Sequence, residues 1–301
     1  MSHYYQPSNR FSVGGLLLLL AGGGLTAALL AVAYVYAVWY IPFIYVNFLL
    51  TVGFGLILGM VLSGLVKAGK LRNPGLAGIL ALVVGLVASY LQWAVYLMLM
   101  YHTTNVESFG RRLSVAHTSF SAETLLALLA QPGTMLATMG AIAESGSWSL
   151  FGVTPSGVFL YVIWLVEALI IVGATVILAR VQADRPFSEL AGEWAEEETL
   201  PTPVAYLDDP AAAKATLEAG DFSVLAPRPA DAPGHLFARL KLHCAPHDSE
   251  CAFLSLENVK VETDDKGKTS ETTTAVVEQL RVSAQRCQEL RDSYRAVAVS
   301  S

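Results

Sequence analysis

Residues 158–179, VFLYVIWLVEALIIVGATVILA, form a continuous apolar stretch that contains a single ionisable side chain, Glu167. About 20 mostly apolar residues are enough for a helix to cross the hydrocarbon core of a bilayer. A carboxylate at that depth costs about 3 kcal/mol or more unless it is protonated, paired or hydrated. The stretch therefore predicts a transmembrane helix, and Glu167 is its candidate functional residue.

The charged residues divide the chain near Arg180. The first 180 residues carry 4 acidic and 7 basic side chains, and the other 121 carry 21 acidic and 12 basic ones. This pattern predicts an apolar membrane part followed by an acidic soluble tail. The tail lacks the clustered Lys and Arg of a nucleic-acid-binding surface, which excludes nucleic acid as a partner.

Four segments are apolar and long enough to span a bilayer. They are Val13–Tyr40, Ile44–Val66, Leu76–Tyr101 and Val158–Ala179. The first two are separated by a turn at Pro42, which predicts a helical hairpin. The expected fold class is an α-helical multi-pass membrane domain of four transmembrane helices, followed by a small soluble α+β domain with an antiparallel sheet.

The basic residues predict the orientation, because cytoplasmic loops are enriched in Lys and Arg. With four spans, six basic residues lie on the cytoplasmic side and two lie outside. The six are Arg10, Lys67, Lys70, Arg72, Arg180 and Arg185, and the two are Arg111 and Arg112. The predicted localisation is the cell (inner) membrane, with both termini in the cytoplasm.

An alternative treats Ala122–Ala143 as a fifth span, which would export the tail and leave four basic residues on each side. The Gln131–Gly133 break divides that segment into two pieces that are too short to cross, so we expect four spans. The small residues Ala31–Ala33 follow an apolar run and are typical of a signal-peptidase site. Cleavage there is a second alternative, and it leaves the orientation of the other three spans unchanged.

Glu167 has polar and aromatic residues at a similar depth in the predicted bundle. At a rise of about 1.5 Å per residue, Ser89 and Tyr90 of the third span and Thr51 of the second span reach its level. Trp164 lies one turn before it, and these five residues form the candidate intramembrane polar site. We consider two roles for Glu167: a protonated acid that fastens the spans together, or a group that carries a proton or cation along a transport path.

Small residues recur on two spans at a spacing that permits close helix packing. Gly55 and Gly59 lie four positions apart in the second span, and Gly85 and Ser89 do so in the third. We interpret both pairs as packing faces. The alternative is a substrate path lined by thin helices.

Residues 102–155 predict a structured outer segment. Ser121 is a candidate N-cap with Glu123 in the first turn, and apolar residues follow on both sides of the Pro-Gly break. We expect two short amphipathic helices. They either cover the outer ends of the spans as a lid or dip between them as a re-entrant hairpin.

The tail predicts a small domain with an antiparallel sheet. The expected boundaries are 1–182 for the membrane domain, 183–205 for an acidic juxtamembrane linker and 206–301 for a cytoplasmic α+β domain. Asp208–Ala219 has the cap, Pro and following Gly of a helix. Strands are predicted at Leu236–His243, Phe253–Glu262 and Thr272–Val282, the last two joined by a turn at 264–268, and a helix at Ser283–Ala296.

Four residues of metal-binding type occur within nine positions of the tail: His243, Cys244, His247 and Cys251. They are a candidate zinc site, although their spacing differs from that of fingers and ribbons, which take pairs of ligands from two turns. The alternative is a polar loop with incidental Cys and His. A cytoplasmic location argues against a Cys244–Cys251 disulfide, and Cys287 is expected to pack as a small apolar group.

The segment Pro186–Trp194, PFSELAGEW, resembles half of a zinc ribbon. The paired cysteines of such a motif would fall at Ser188 and Ala191, and neither residue is a strong zinc ligand. The resemblance thus implies a copy without metal. The alternative is that Phe187 and Trp194 anchor the chain at the membrane interface.

The sequence contains no Walker loop, nucleophile elbow, kinase signature or dinucleotide fingerprint. We therefore expect a non-enzymatic protein without a cofactor: a membrane scaffold or adaptor that presents its acidic domain to protein partners. Its expected partners are the lipid bilayer and either another protein or further copies of this chain. The alternative function is a small transporter or channel component that uses Glu167 for proton or cation movement.

Overall fold

The computed structural model describes residues 3–41, 43–109, 113–146, 154–228, 234–248, 250–264 and 267–300. The chain forms two compact units. One is Asn9–Ala183, and the other is Asp184–Ser301 together with the amino-terminal residues up to Ser8. The predicted turn at Pro42 and the outer residues Arg111 and Arg112 lie outside the described residues.

The first unit is mainly helical. Its elements are α1 (Val13–Tyr40), α2 (Ile44–Ala68), α3 (Pro74–Tyr101), β1 (Thr103–Phe109), β2 (Leu113–Thr118), α4 (Ala122–Ala130), α5 (Pro132–Ser145) and α6 (Val158–Ala183). Helices α1, α2, α3 and α6 are the four predicted spans, and each is long and apolar enough to cross a membrane. Side-chain caps begin two of them: Ser12 Oγ accepts from the Gly15 N–H, and Asn73 Oδ1 accepts from the Leu76 N–H.

Large apolar side chains cover the outside of these helices. Leu25, Leu49 and Leu169 are 64%, 68% and 60% exposed. An apolar surface of this kind is unfavourable in water and is matched by hydrocarbon. The unit is therefore compatible with a membrane protein.

The directions of the long helices show that the outer segment does not cross the membrane domain as a fifth span. Helix α6 runs antiparallel to α3, because Gly78 packs under Arg180 near one end while the Trp93 and Trp164 rings lie 4.6 Å apart nearer the other. Residues 102–157 therefore leave and rejoin the bundle at the same end. The four-span arrangement requires this geometry, and a fifth span would reverse α6.

The two helices predicted in the outer segment are present, and they form a bent pair. Ser121 Oγ accepts from the Thr124 N–H at the start of α4, as expected, and the axes of α4 and α5 differ by 99°. Helix α4 begins beside His102, which bonds to Thr124, and ends beside Tyr90, whose hydroxyl donates to the Leu129 carbonyl. Tyr90 lies about 16 Å along α3 from Tyr101, so the break between α4 and α5 lies beside α3 at about that distance from the end of the helix. The preceding β1–β2 hairpin was not predicted.

The second unit is built around an antiparallel sheet. Its elements are β3 (Phe187–Ser188), β4 (Glu193–Trp194), β5 (Glu196–Thr199), α7 (Pro210–Glu218), β6 (Leu236–Cys244), β7 (Cys251–Thr263), β8 (Thr269–Ser283) and α8 (Ala284–Ser300). The main sheet has the order β5-β6-β7-β8. Alternate residues of its strands, including Leu240, Leu242 and Leu254, are fully buried in one core with Tyr294 of α8. The predicted strands, hairpin and flanking helices are thus present, with longer β7 and β8.

The acidic segment 183–205, expected as a linker, contains regular structure. Residues Glu196–Thr199 form β5 at one edge of the sheet, with Glu196 opposite Cys244 and Thr199 opposite Lys241. On composition alone, three consecutive glutamates predict a linker that is exposed to solvent. They are accommodated here because an edge strand exposes its charged side chains to water.

The opposite edge of the sheet pairs with the amino-terminal segment. The Tyr5 N–H donates to the Gln279 carbonyl at 3.0 Å, and the Arg281 N–H donates to the His3 carbonyl at 2.8 Å. The Tyr4 hydroxyl donates to Glu218 at 2.6 Å, and burial together with this carboxylate raises the pKa of Tyr4 to about 12. This pairing was not predicted, because residues 3–5 are too short a segment to show alternation.

Candidate functional site

A hydrogen-bonded pair of hydroxyls joins α1 to α2 inside the helical unit. Tyr34 Oη and Thr51 Oγ1 are 2.9 Å apart, and Thr51 is fully buried. Thr51 Oγ1 also donates to the Asn47 carbonyl at 3.0 Å. Since Thr51 has a single hydroxyl proton, Tyr34 is the donor in the pair, and its own oxygen retains only acceptor capacity.

Helix packing brings Glu167 to the level of this pair. Gly55 of α2 packs against Ile171 of α6, and a Cβ on Gly55 would lie 3.0 Å from the Ile171 Cα. Thr51 and Glu167 each lie one turn before these contacts on helices that run in parallel, so they occupy the same level. The Glu167 carboxyl group is also close enough to Tyr34 for the two to interact electrostatically.

Gln92 of α3 lies at the same depth as Glu167, so each of the four long helices has a polar residue at this depth. It precedes Trp93, which packs on Trp164 one turn before Glu167. Gln92 is 6% exposed, and no donor among the described residues reaches its Oε1 atom. The intramembrane polar cluster therefore consists of Tyr34, Thr51, Gln92 and Glu167, one from each long helix.

The donors and acceptors of this cluster favour a protonated Glu167. The buried Gln92 Oε1 atom has no donor among the described residues, and an ionised carboxylate has none to give. A protonated carboxyl group supplies one hydrogen and removes the cost of a charge in hydrocarbon. The cluster is thus suited to fastening the helices, and it places a proton-bearing group at their centre.

Two of the predicted site residues form hydrogen bonds with other groups. Ser89 Oγ donates to the Gly85 carbonyl of its own helix, and the Tyr90 hydroxyl donates to Leu129 of α4. Trp164 packs edge-on against Trp93 and Tyr161, as part of an aromatic layer on the outer side of the cluster. Of the five residues, Thr51 and Glu167 share the polar cluster. Tyr34 and Gln92 were missed because tyrosine and glutamine are common near helix ends and neither carries a charge.

Three residues of the candidate zinc site, His243, Cys244 and His247, have separate side-chain partners. His243 Nε2 bonds to Ser255 at 3.0 Å, and His247 bonds to Glu193. Cys244 pairs with Cys287, and Cys251 begins β7 opposite Ser283. Among the residues whose side chains the structure describes, no group of three or more metal-ligating residues converges. Burial lowers the pKa of His243, which keeps its imidazole neutral beside Ser255 at pH 7.

Cys287 lies in the core, as expected of a small apolar side chain, and also contacts a second sulfur. It is 1% exposed, and the structure pairs it with Cys244 across the end of the sheet as a disulfide. Such a pair is held as two thiols in a reducing compartment and as a disulfide in an oxidising one. The redox state of this pair therefore indicates whether the second unit lies in a reducing or an oxidising compartment.

The PFSELAGEW segment forms a short hairpin of strands β3 and β4. Ser188 Oγ accepts from the Ala191 N–H at 2.9 Å, and Gly192 adopts a left-handed conformation with φ 68°. Phe187 and Trp194 pack edge-on at 5.1 Å and are both buried. The aromatic residues therefore stabilise the hairpin by packing on each other.

An acidic groove lies between strand β5 and helix α8. Its volume is about 560 Å³, and its lining includes Glu196, Glu197, Glu198, Asp248, Cys244, Cys287 and Arg291. Arg291 Nε donates to Glu198 at 2.7 Å, which leaves the groove with more carboxylates than cations. A groove of this charge beside a sheet edge is complementary to an extended basic segment.

Comparison with known proteins was made by family, by sequence and by structure. No family model, no curated protein and no solved structure matches this chain.

Proposed function

We propose that this chain is an integral membrane scaffold: four helices anchor it in the cell membrane, and the acidic groove binds protein partners. The observation that carries the proposal is the groove beside the edge strand β5. Its exposed glutamates Glu196 and Glu197 contribute little to folding, since the Glu197 carboxylate lies 3.9 Å from the Lys241 Nζ atom, which is a long contact for an ion pair. Exposed carboxylates of this kind steer and select basic partners.

The packing of the helices supports an anchoring role. Below the polar cluster, the small residues Gly55, Gly59 and Gly85 bring α2 and α3 into contact with α6. A Cβ on Gly85 would lie 2.8 Å from Thr175 Oγ1, and one on Gly59 would lie 2.9 Å from the Ala174 carbonyl oxygen. Such contacts hold the helices close together and favour a rigid membrane anchor.

The groove is tested by affinity purification of the full-length protein in a mild detergent. We expect a co-purifying protein with an accessible basic segment, retained by the wild type. The double variant Glu196→Gln/Glu197→Gln should lose it, because about 1–3 kcal/mol of charge complementarity corresponds to a 5- to 150-fold weaker complex. The matched control is Glu278→Gln/Glu289→Gln, which removes two exposed carboxylates from the same unit outside the groove. Recovery of the chain alone, or equal retention by both variants, would contradict the scaffold.

A second candidate function is a transporter or channel component. The observations that favour it are the polar cluster itself and the α4–α5 break, which dips to the level of Tyr90. Helix ends and a carboxyl group at mid-membrane depth are features of proton- and ion-coupled transport. This function requires Glu167 to exchange its proton.

Glu167→Gln separates the two roles. The amide retains a donor and an acceptor, so we expect a thermal unfolding temperature close to that of the wild type if Glu167 fastens the helices. Proton-coupled flux in proteoliposomes, followed with an internal pH-sensitive dye, should be absent in both proteins. Flux in the wild type that disappears in Glu167→Gln would assign the chain to transport. Glu123→Gln, which alters a carboxyl group at the first turn of α4, is the matched control.

A further inference from the structure

No described residue pairs with the outer side of the first half of strand β8. Residues 269–275 pair on their other side with β7, in an uninterrupted register. The amino-terminal segment bonds only to the second half of β8, at Gln279 and Arg281. All seven side chains of residues 269–275 are exposed. This half of β8 is therefore an open edge of the main sheet.

The backbone groups on this edge are placed at regular intervals for an additional strand. The Asp264 N–H donates to the Lys268 carbonyl where the β7–β8 hairpin begins. Bonded and non-bonded pairs alternate along an antiparallel ladder, so the even-numbered residues of 269–275 bond to β7. The odd-numbered residues, which include Glu271 and Thr273, therefore direct their N–H and carbonyl groups away from β7.

Residues 269–275 lack the features that usually protect an exposed strand edge, which are lysine, proline or a bulge. Their sequence is TSETTTA, and the register shifts of the β7–β8 pair lie opposite residues 254–257, outside this range. The one charged side chain in the range, Glu271, forms an ion pair with Arg239 at 2.8 Å. Threonine, the most frequent residue of the range, has a high strand propensity. The composition of this edge thus favours the addition of a strand.

We infer that residues 269–275 of two copies of this chain pair as antiparallel strands about a two-fold axis at Thr272. Two-fold dimers are the commonest homo-oligomers, and the interface of such a dimer must be complementary to itself. This register meets that condition, because it overlaps all seven residues and places each outward backbone group opposite one of the partner copy. It also places Glu271 opposite the partner's Thr273, so that no two like charges are directly opposed.

Other positions of the axis are less favourable. An axis at Glu271 would place two carboxylates directly opposite each other, which destabilises a strand pair. An axis at Thr273 would place Thr269 opposite the second half of β8, where the register shifts interrupt regular bonding. The charge and the length of the regular segment therefore both select Thr272.

The position of the axis is tested by cysteine cross-linking of the purified full-length protein in a mild detergent. Thr272→Cys places two thiols directly opposite each other, in a non-hydrogen-bonded pair whose Cα atoms are about 4.5 Å apart. Thr274→Cys is the matched control, because it makes the same substitution at an exposed position on the same face of the strand. Its two copies would lie about 14 Å apart along the strands, which is too far for a disulfide.

Mild oxidation with copper phenanthroline should convert most of Thr272→Cys to a disulfide-linked dimer and leave Thr274→Cys at the level of the wild type. Equal cross-linking of the two variants would overturn the pairing.

The mass of the unoxidised protein gives a second measurement, by size-exclusion chromatography with light scattering. The wild type should contain two copies. Thr273→Pro should contain one, because it removes an outward N–H group that makes no bond to β7. Thr273→Val keeps that N–H group and should remain a dimer. A wild type of one copy, or a dimer that persists in Thr273→Pro, would overturn the proposal.

Discussion

The variant Gly59→Leu is expected to separate α2 from α6 and to destabilise the helical unit by about 1–3 kcal/mol. The reason is steric. A Cβ on Gly59 would lie 2.7 Å from Leu178 Cδ1 and 2.9 Å from the backbone oxygen of Ala174. Leu178 can change rotamer, but the Ala174 carbonyl belongs to the α6 backbone, so the helix itself must move. The measurement is thermal unfolding in a mild detergent.

Gly64→Leu is the control for this prediction. Gly64 lies on the same helix, and a Cβ there would have no neighbour within 4 Å. Both variants add the same apolar side chain to α2, so helix propensity and hydrophobicity change equally. We expect Gly64→Leu to stay within about 0.5 kcal/mol of the wild type. Equal destabilisation by the two variants would show that the α2–α6 contact does not determine stability.

The number of labelled cysteines is expected to differ between a reducing and an oxidising compartment. The module is proposed to face the cytoplasm, where Cys244 and Cys287 are held as thiols. After rapid acid quenching of whole cells, denaturation and labelling with a maleimide of high mass, the chain should carry three adducts, one for each of its 3 cysteines. A disulfide between Cys244 and Cys287 would leave a single adduct on Cys251.

The variant Cys287→Ala calibrates this measurement. It leaves Cys244 and Cys251 available to the label, so it should carry two adducts in either compartment. One adduct on the wild type together with two on the variant would place the module in an oxidising compartment. The orientation drawn from Lys67, Lys70 and Arg72 would then be reversed, and a partner for the acidic groove would have to be sought outside the cell.

The long helices and the strands of the tail were predictable because their signals are local. An apolar run of about 20 residues specifies a span without reference to the rest of the chain, and α1 occupies the predicted range Val13–Tyr40. The same holds for the helix capped by Asp209, whose carboxylate accepts from the Ala211 and Ala212 N–H groups. Strands β6 to β8 alternate apolar and polar residues and are joined by short turns, which also makes them local features.

The structure that sequence reasoning missed depends on distant partners. Strand β5 has the composition of a linker, and it is a strand because its backbone pairs with β6. The polar cluster has a similar origin. Thr51 and Glu167 could be placed at one depth by counting residues, but Tyr34 and Gln92 join them through the rotation of α1 and α3 about their axes. That rotation is set by contacts such as Gly23 on Leu62 and Val84.

The pairing of residues 3–5 with strand β8 has a consequence for biosynthesis. The ribosome makes these residues long before their partners Gln279 and Arg281, which lie more than 270 positions further along the chain. Until β8 has been synthesised, residues 3–5 have no partner strand and β7 has an open edge, and an unpaired strand edge is a site of mispairing between nascent chains. A tag placed before Tyr4 should therefore lower the yield of correctly assembled protein more than one placed after Ser301.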